Sequence, residues 1–130
     1  MQQQRASFAL RRVQYAIDKL SPDKRKEFKS YAAEFPFMIH ANGLGQAAAF
    51  FLSKGKDKDS NAHTFLYNLL SDWLTKEGQP FAGKENLLKG ITTSDMHTYQ
   101  AAQAEAMVFM AWVKQFATAF IQDEKKPESQ

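Results

Sequence analysis

Residues 94–122, SDMHTYQAAQAEAMVFMAWVKQFATAFIQ, decide the fold. Apolar side chains recur in this stretch at the three- and four-residue spacing that places them on one face of an α-helix. The run Ala106–Val113 is apolar at eight consecutive positions. We therefore predict a helix that runs to about Gln122, is capped by Thr93 or Ser94, and is surrounded by other helices on most sides.

The rest of the chain also favours helices over strands. Only seven residues are Val or Ile, against eighteen Ala and ten Leu, which are good helix formers. Apolar periodicity predicts further helical segments at 2–20, 22–34, 37–52 with an interruption, 61–78 and 84–89. The predicted fold class is all-α: a compact single-domain helical bundle of about five to six helices over residues 1–122, followed by a disordered polar C-terminal tail, 123–130.

Local signals set the predicted boundaries. Ser21 and Pro22 suit the start of the second helix, and Pro36 is expected to end it. Gly43 and Gly45 interrupt the next helical run, so we expect either a kinked helix or two short ones, with small residues that allow another helix to cross closely. Residues 53–60 have no large apolar side chain and are predicted to form an exposed connector. Glycines are expected to end the helices at 78 and 90.

Length and charge exclude several classes of protein. A chain of 130 residues without Cys is too short for a multi-domain enzyme and is not a disulfide scaffold. It has no stretch of about 18 apolar residues and no apolar signal-peptide block, so a cytoplasmic location is expected. Residues 1–60 hold eleven basic and six acidic residues, a net charge of +5, whereas residues 61–130 hold six and eight, a net charge of −2.

Motifs for cofactor or metal chemistry are incomplete. Gly43-Leu44-Gly45-Gln46-Ala47-Ala48 matches a dinucleotide fingerprint but lacks the preceding strand and the later acidic residue, so a helix kink is the better interpretation. Residues 57–61 start like a calcium loop, but the sixth and twelfth positions are Ala62 and Asn68. The three histidines fall on three predicted helices without zinc-ligand spacing. We predict no cofactor, no metal site and no catalytic residue.

Glu105 lies in the middle of the last predicted helix among small and apolar residues. We expect it to be partly buried and to form an ion pair or hydrogen bond with a neighbouring helix. General acid/base chemistry is the less favoured interpretation.

Basic side chains form the remaining signal. They could create a surface that follows a phosphate backbone if the first two helices and the connector adjoin, although the interleaved acidic residues favour an ordinary solvated face. The basic residues that could form this surface are Arg5, Arg11, Arg12, Lys24, Arg25, Lys26, Lys29, Lys54, Lys56 and Lys58.

Three segments resemble the small subunit of the type III-B CRISPR effector, the Cmr complex. They are Gln4–Leu10, the run from Tyr31 through Phe35-Pro36 and Asn42-Gly43-Leu44 to Leu52, and Tyr99 followed by Glu105-Ala106 and Trp112–Ala117. They span most of the chain in the expected order. The resemblance departs at Gln100 and Gln115, where the family often carries arginine.

This resemblance implies a non-catalytic, all-helical subunit. Its partners would be other subunits of the effector complex, further copies of itself in a stack, and the guide RNA and target RNA, which it would help hold together in antiviral defence. No membrane partner is implied. With RNA as the implied ligand, seven residues are our predicted RNA contacts: Arg5, Arg11, Arg12, Lys24, Arg25, Lys26 and Lys114. Two alternatives stay open: a helical scaffold that contacts only protein, and an enzyme with a deep polar pocket near Glu105 and either His40 or His97.

Overall fold

The computed structural model describes residues 2–55 and 61–122. This part of the chain forms six helices: α1 (Gln2–Lys19), α2 (Pro22–Asn42), α3 (Leu44–Gly55), α4 (Ala62–Leu74), α5 (Leu87–Thr93) and α6 (Met96–Phe120). They pack around one apolar core, which confirms the all-α bundle. The predicted tail, 123–130, and most of the connector, 56–60, lie outside the described residues.

The last helix, α6, packs against α1, α2 and α4. It buries one face, which consists of Ala102, Ala106, Phe109, Met110, Val113 and Ala117. The prediction that it is surrounded on most sides is wrong. Val108 is 42% exposed and Ala111 is exposed as well, because no other helix covers that side of the apolar run among the described residues.

The second helix, α2, continues through Pro36, so the predicted end at that residue is wrong. A proline inside a helix removes one backbone hydrogen bond. Packing offsets this loss, since Phe35 and Ile39 on either side of Pro36 are both fully buried. The Phe35 ring stacks on Phe51 of α3 with 4.0 Å between ring centroids. Tertiary contacts therefore outweigh the local helix-breaking tendency.

Gly43 separates α2 from α3, so the interrupted run forms two helices. Its φ of +91° favours glycine, and its N–H donates to the Ile39 carbonyl at the end of α2. The first turn of α3 then meets α6 closely: the Leu44 N–H donates to Gln103 Oε1 at 2.8 Å and the Gly45 N–H donates to the Tyr99 hydroxyl at 2.9 Å. This confirms the close helix crossing expected from the small residues.

The other boundaries differ from the prediction in detail. Helix α3 includes residues 53–55, which were predicted to lie in the connector, and α4 ends at Leu74 instead of Gly78. Gly90 lies inside α5 and does not end a helix; the Phe81 ring packs against its Cα, where a Cβ would clash, so glycine is required there. The cap of α6 is Asp95, whose carboxylate accepts from the Thr98 N–H at 2.8 Å.

No helix in the described residues is both long enough and apolar enough to cross a membrane.

Candidate nucleic-acid interface

Arg5 lies in an internal ion pair. Its Nε and Nη2 donate to the two carboxylate oxygens of Glu105 on α6, at 2.6 and 2.9 Å. The Trp73 indole N–H from α4 donates to the same carboxylate at 2.8 Å. Three helices therefore meet at one partly buried charge, which confirms the expected role of Glu105.

The electrostatics of this cluster follow from its geometry. Burial alone would raise the pKa of Glu105, but the hydrogen bonds from Arg5 and Trp73 and the charge of Arg5 lower the pKa below its ordinary value. The hydrogen bond to Glu105 likewise raises the pKa of Arg5. Both groups stay charged at neutral pH, and the carboxylate accepts three hydrogen bonds from within the chain.

Three more of the predicted RNA contacts also have partners within the chain. Arg12 on α1 donates to Asp72 on α4 at 2.6 Å. Lys24 pairs with Glu27 one turn along α2 at 3.3 Å. Arg25 Nε donates to the carbonyl of Ile17 at 2.8 Å, which ties the start of α2 to the end of α1.

The remaining predicted contacts, Arg11, Lys26 and Lys114, are exposed. Arg11 donates to the Ser7 hydroxyl at 3.1 Å, which is one turn back along α1. Lys24 and Lys26 lie close to the start of α2, while Lys114 is far along α6. RNA contact by the seven residues stays a prediction.

The structure brings two of the seven residues together with a lysine that the sequence pattern did not indicate. The guanidinium carbons of Arg11 and Arg12 each lie 5.6 Å from the centroid of the Phe8 ring, and Lys76 Nζ lies 5.5 Å from it. Lys76 follows α4 in the chain, and its backbone N–H donates to the Trp73 carbonyl. Nothing in the amino-acid pattern links residue 76 to α1, so only the fold reveals this group.

A groove of about 570 Å³ lies beside this cluster, between the first half of α1 and the end of α4. Its walls include Gln3, Ser7, Arg11 and Lys76, and the Phe8 ring forms part of its base. The groove is polar, and it has the size of a small-molecule or nucleotide site.

This groove is not the deep polar pocket expected of an enzyme near Glu105 and either His40 or His97. The walls of the groove include neither Glu105 nor a histidine. His40 and His97 are exposed. His63 is mostly buried, stacked on Tyr31 with 4.0 Å between ring centroids, and burial lowers its pKa below the ordinary value. No cluster of His, Asp and Glu suited to a metal ion occurs in the described part of the chain.

Comparison with known proteins identifies the family. The family model described as "CRISPR-associated protein (Cas_Cmr5)" matches residues 1–120. The chain belongs to the Cmr5 family. This confirms the resemblance to the small subunit of the type III-B effector that the sequence segments indicated. Among curated Cmr5 proteins, the chain is similar to "CRISPR system Cmr subunit Cmr5" of Thermus thermophilus, with 28% identity over 99 residues that cover 76% of this chain and 79% of the relative.

The two departures from the Cmr5 pattern both lie on the protein surface. Gln100 and Gln115 are exposed on α6. An arginine at either position would therefore point its charge into solvent or toward a partner, without needing any change in the core. Gln115 also lines a shallow apolar recess beside Val108 and Trp112.

Proposed function

We propose that the chain is a non-catalytic small subunit of a type III-B CRISPR ribonucleoprotein effector complex. Several copies stack along the complex and help to hold the target RNA against the guide RNA, in antiviral defence in the cytoplasm. The partners are other subunits of the complex, further copies of the chain, and the two RNAs. RNA cleavage belongs to other subunits.

The match of the Cmr5 family model over residues 1–120 carries this proposal. It covers every helix of the bundle, so the whole described fold, and not one motif, supports a role in the Cmr complex. The name of the Thermus thermophilus relative, a Cmr subunit, supports the same role.

The basic side chains suggest how such a subunit would treat RNA. Arg11, Lys26 and Lys114 are exposed, as a contact with phosphate requires. Lysine and arginine on a surface neutralise phosphates and position the protein without reading the bases. This suits a complex in which base pairing with the guide already selects the target sequence.

Stacking of several copies requires contacts between two different surfaces of the subunit. Head-to-tail contacts whose rotation does not close into a ring form an open array, which can continue along a guide RNA. Exposed apolar side chains, among them Phe37 at 71% and Phe120 at 50%, support protein contacts of this chain, because their burial against a partner is favourable.

The RNA contact is tested in the assembled complex by changing Lys24, Arg25 and Lys26 to alanine. Target RNA association should weaken, and the dependence of log K on log salt should flatten by about 0.7 to 0.9 for each phosphate that is no longer neutralised. Because Arg25 also ties α2 to α1, the double variant K24Q/K26Q is measured beside the triple variant. The control K84Q/K89Q removes two lysines near α5. A salt slope that the triple and double variants leave unchanged would contradict the assignment.

A scaffold that contacts only protein is the second candidate. The observation that favours it is that Arg5, Arg12, Lys24 and Arg25 all have partners within the chain. Nuclease digestion of the purified complex separates the two functions. A subunit that holds RNA should be released or loosened when the RNA is degraded, whereas a pure scaffold should stay attached to its protein neighbours.

A further inference from the structure

The Phe8 ring on α1 is surrounded by three positive charges. Arg11 and Arg12 come from the next turn of the same helix, and Lys76 comes from the turn after α4. Phe8 itself is only 9% exposed, with its ring packed against Trp73 and Phe109 at centroid distances of 5.2 and 5.9 Å. The buried ring is thus a rigid surface against which the three cations lie.

The negative charges nearby compensate only part of this cluster. Asp72 binds Arg12 at 2.6 Å. Neither Arg11 nor Lys76 has a carboxylate within ion-pairing distance among the described residues, although Glu77 lies on the same groove. Attraction to the ring face holds the two cations near each other. Two like charges held on one concave surface favour an anion between them.

The groove also presents neutral hydrogen-bond donors beside the two cations. The Ser7 hydroxyl accepts from Arg11, so its own hydrogen is available to a ligand. The side-chain amides of Gln3, Gln4 and Gln79 line the same walls. An anion with several oxygen acceptors would satisfy such a set of donors, and a guanidinium matches the oxygens of a phosphate especially well.

We propose that this groove is a phosphate-binding site, in which Arg11 and Lys76 neutralise the phosphate and Ser7 and the glutamine amides donate to its oxygens. The biological ligand is the sugar-phosphate backbone of RNA, and this part of the inference rests on the proposed function. The volume of about 570 Å³ accommodates one nucleotide unit, with its base outside or against the glutamine amides.

The site is tested on the full chain alone by NMR. ¹⁵N-labelled protein is titrated separately with a short single-stranded RNA, with uridine 5′-monophosphate and with inorganic phosphate. Amide shifts should concentrate at residues 3–11 and 76–79. Shifts in these segments with all three ligands support the site and show that a free phosphate is sufficient for binding. Shifts with RNA only also support the site and show that binding requires the RNA backbone. No shifts in these segments at millimolar ligand would overturn the proposal.

Variants then measure the contribution of charge. In R11Q/K76Q the dissociation constant for single-stranded RNA should rise about tenfold at low salt, and the slope of log K against log salt should fall by about 0.7, because the two side chains neutralise one phosphate. The control K84Q/K89Q removes the same charge outside the groove and should bind within about twofold of the parent chain. Equal binding by R11Q/K76Q and the control would contradict the proposal.

This test separates the groove from the wider function. If RNA shifts the first turn of α2 but not the groove, the proposed RNA contact stands and the groove assignment fails. If the groove binds phosphate while the assembled complex shows no RNA contact by this subunit, the site stands and the proposed function fails. A third outcome is that R11Q/K76Q dissociates from a nuclease-treated complex while the parent chain binds no RNA in isolation. In that case the groove binds an acidic protein segment and the proposal is wrong.

Discussion

Arg5 and Glu105, one hundred residues apart in the chain, form a two-bond ion pair between α1 and α6, with distances of 2.6 and 2.9 Å. Their side chains are 18% and 14% exposed, so the pair is largely shielded from water. Trp73 donates a third hydrogen bond to the same carboxylate. Removing the carboxylate charge therefore leaves a largely buried guanidinium without its counter-charge.

The change Glu105→Gln should lower the free energy of unfolding by about 2 kcal/mol, because it weakens two charge-assisted hydrogen bonds and leaves the Arg5 charge without a counter-charge. Urea denaturation followed by circular dichroism measures the effect at pH 7. The exposed Glu85→Gln serves as the control and should change stability by less than about 0.5 kcal/mol.

Acid should reduce the difference between the parent chain and Glu105→Gln. The folded-state pKa of Glu105 lies below its ordinary value, so its stabilising effect is present above that value and is lost as the pH falls through the folded-state pKa. A difference between the two proteins that is constant from pH 7 to pH 3 would contradict the internal ion pair.

His63 should make the free energy of unfolding depend on pH at higher pH values than Glu105 does. Burial against Tyr31 lowers its folded-state pKa below the ordinary 6.5, so the unfolded chain takes up a proton first as the pH falls. This contribution to stability is present above about pH 6.5 and is lost as the pH falls through the folded-state pKa. His63→Phe keeps a ring stacked on Tyr31. In this variant the urea concentration at the unfolding midpoint should change less between pH 7 and pH 5 than in the parent chain. His97→Phe, at an exposed site, should keep the parent slope.

Alanine substitution at two glycines inside helices should change the free energy of unfolding in opposite directions. At Gly45 in α3 a Cβ would meet Ile91 and Tyr99 at 3.5 and 3.6 Å, an ordinary contact, so Gly45→Ala should stabilise by about 0.5–1 kcal/mol through helix propensity. At Gly90 in α5 the Cβ would clash with the Phe81 ring, so Gly90→Ala should destabilise by about 1–3 kcal/mol. Thermal melts of both variants test the packing; equal effects would contradict it.

Adding charge at the two glutamines should strengthen RNA binding. Gln100→Arg and Gln115→Arg introduce arginines at exposed positions where the Cmr5 family often has them. If those positions face phosphate, the double variant should bind target RNA more tightly in the assembled complex, with a salt slope steeper by about 1.4–1.8. The charge-matched control Q14R/Q46R places arginines on α1 and α3. Equal gains in both variants would show a general charge effect and contradict a specific contact.

The sequence predicted the helices better than their ends. Periodicity located α1, α4 and α6, because their buried faces repeat every three or four residues. It missed the passage of α2 through Pro36, since the stacking of Phe35 on Phe51 is a contact between helices that no local rule contains. It missed Gly90 inside α5 for the same reason, because the Phe81 ring that occupies the space beside it comes from the preceding loop.

The candidate site was predicted in part. The sequence identified the basic residues and indicated an internal partner for Glu105, but it could not name Arg5 as that partner, which removes Arg5 from the freely exposed cations. Nor could it join Lys76 to Arg11, because the two meet only through the Phe8 ring. Side-chain pairing across the fold decides which charges stay available to a ligand.

The capping of α3 by Tyr99 and Gln103 has a consequence for synthesis on the ribosome. The acceptors for the Leu44 and Gly45 amides are made more than fifty residues later, and α6 also supplies Glu105 to Arg5. The first three helices thus emerge before the α6 residues that they contact, and we expect the nascent chain to stay without a closed core until α6 has left the exit tunnel. A message truncated before codon 96 should yield a chain that chaperones and proteases recognise as unfolded.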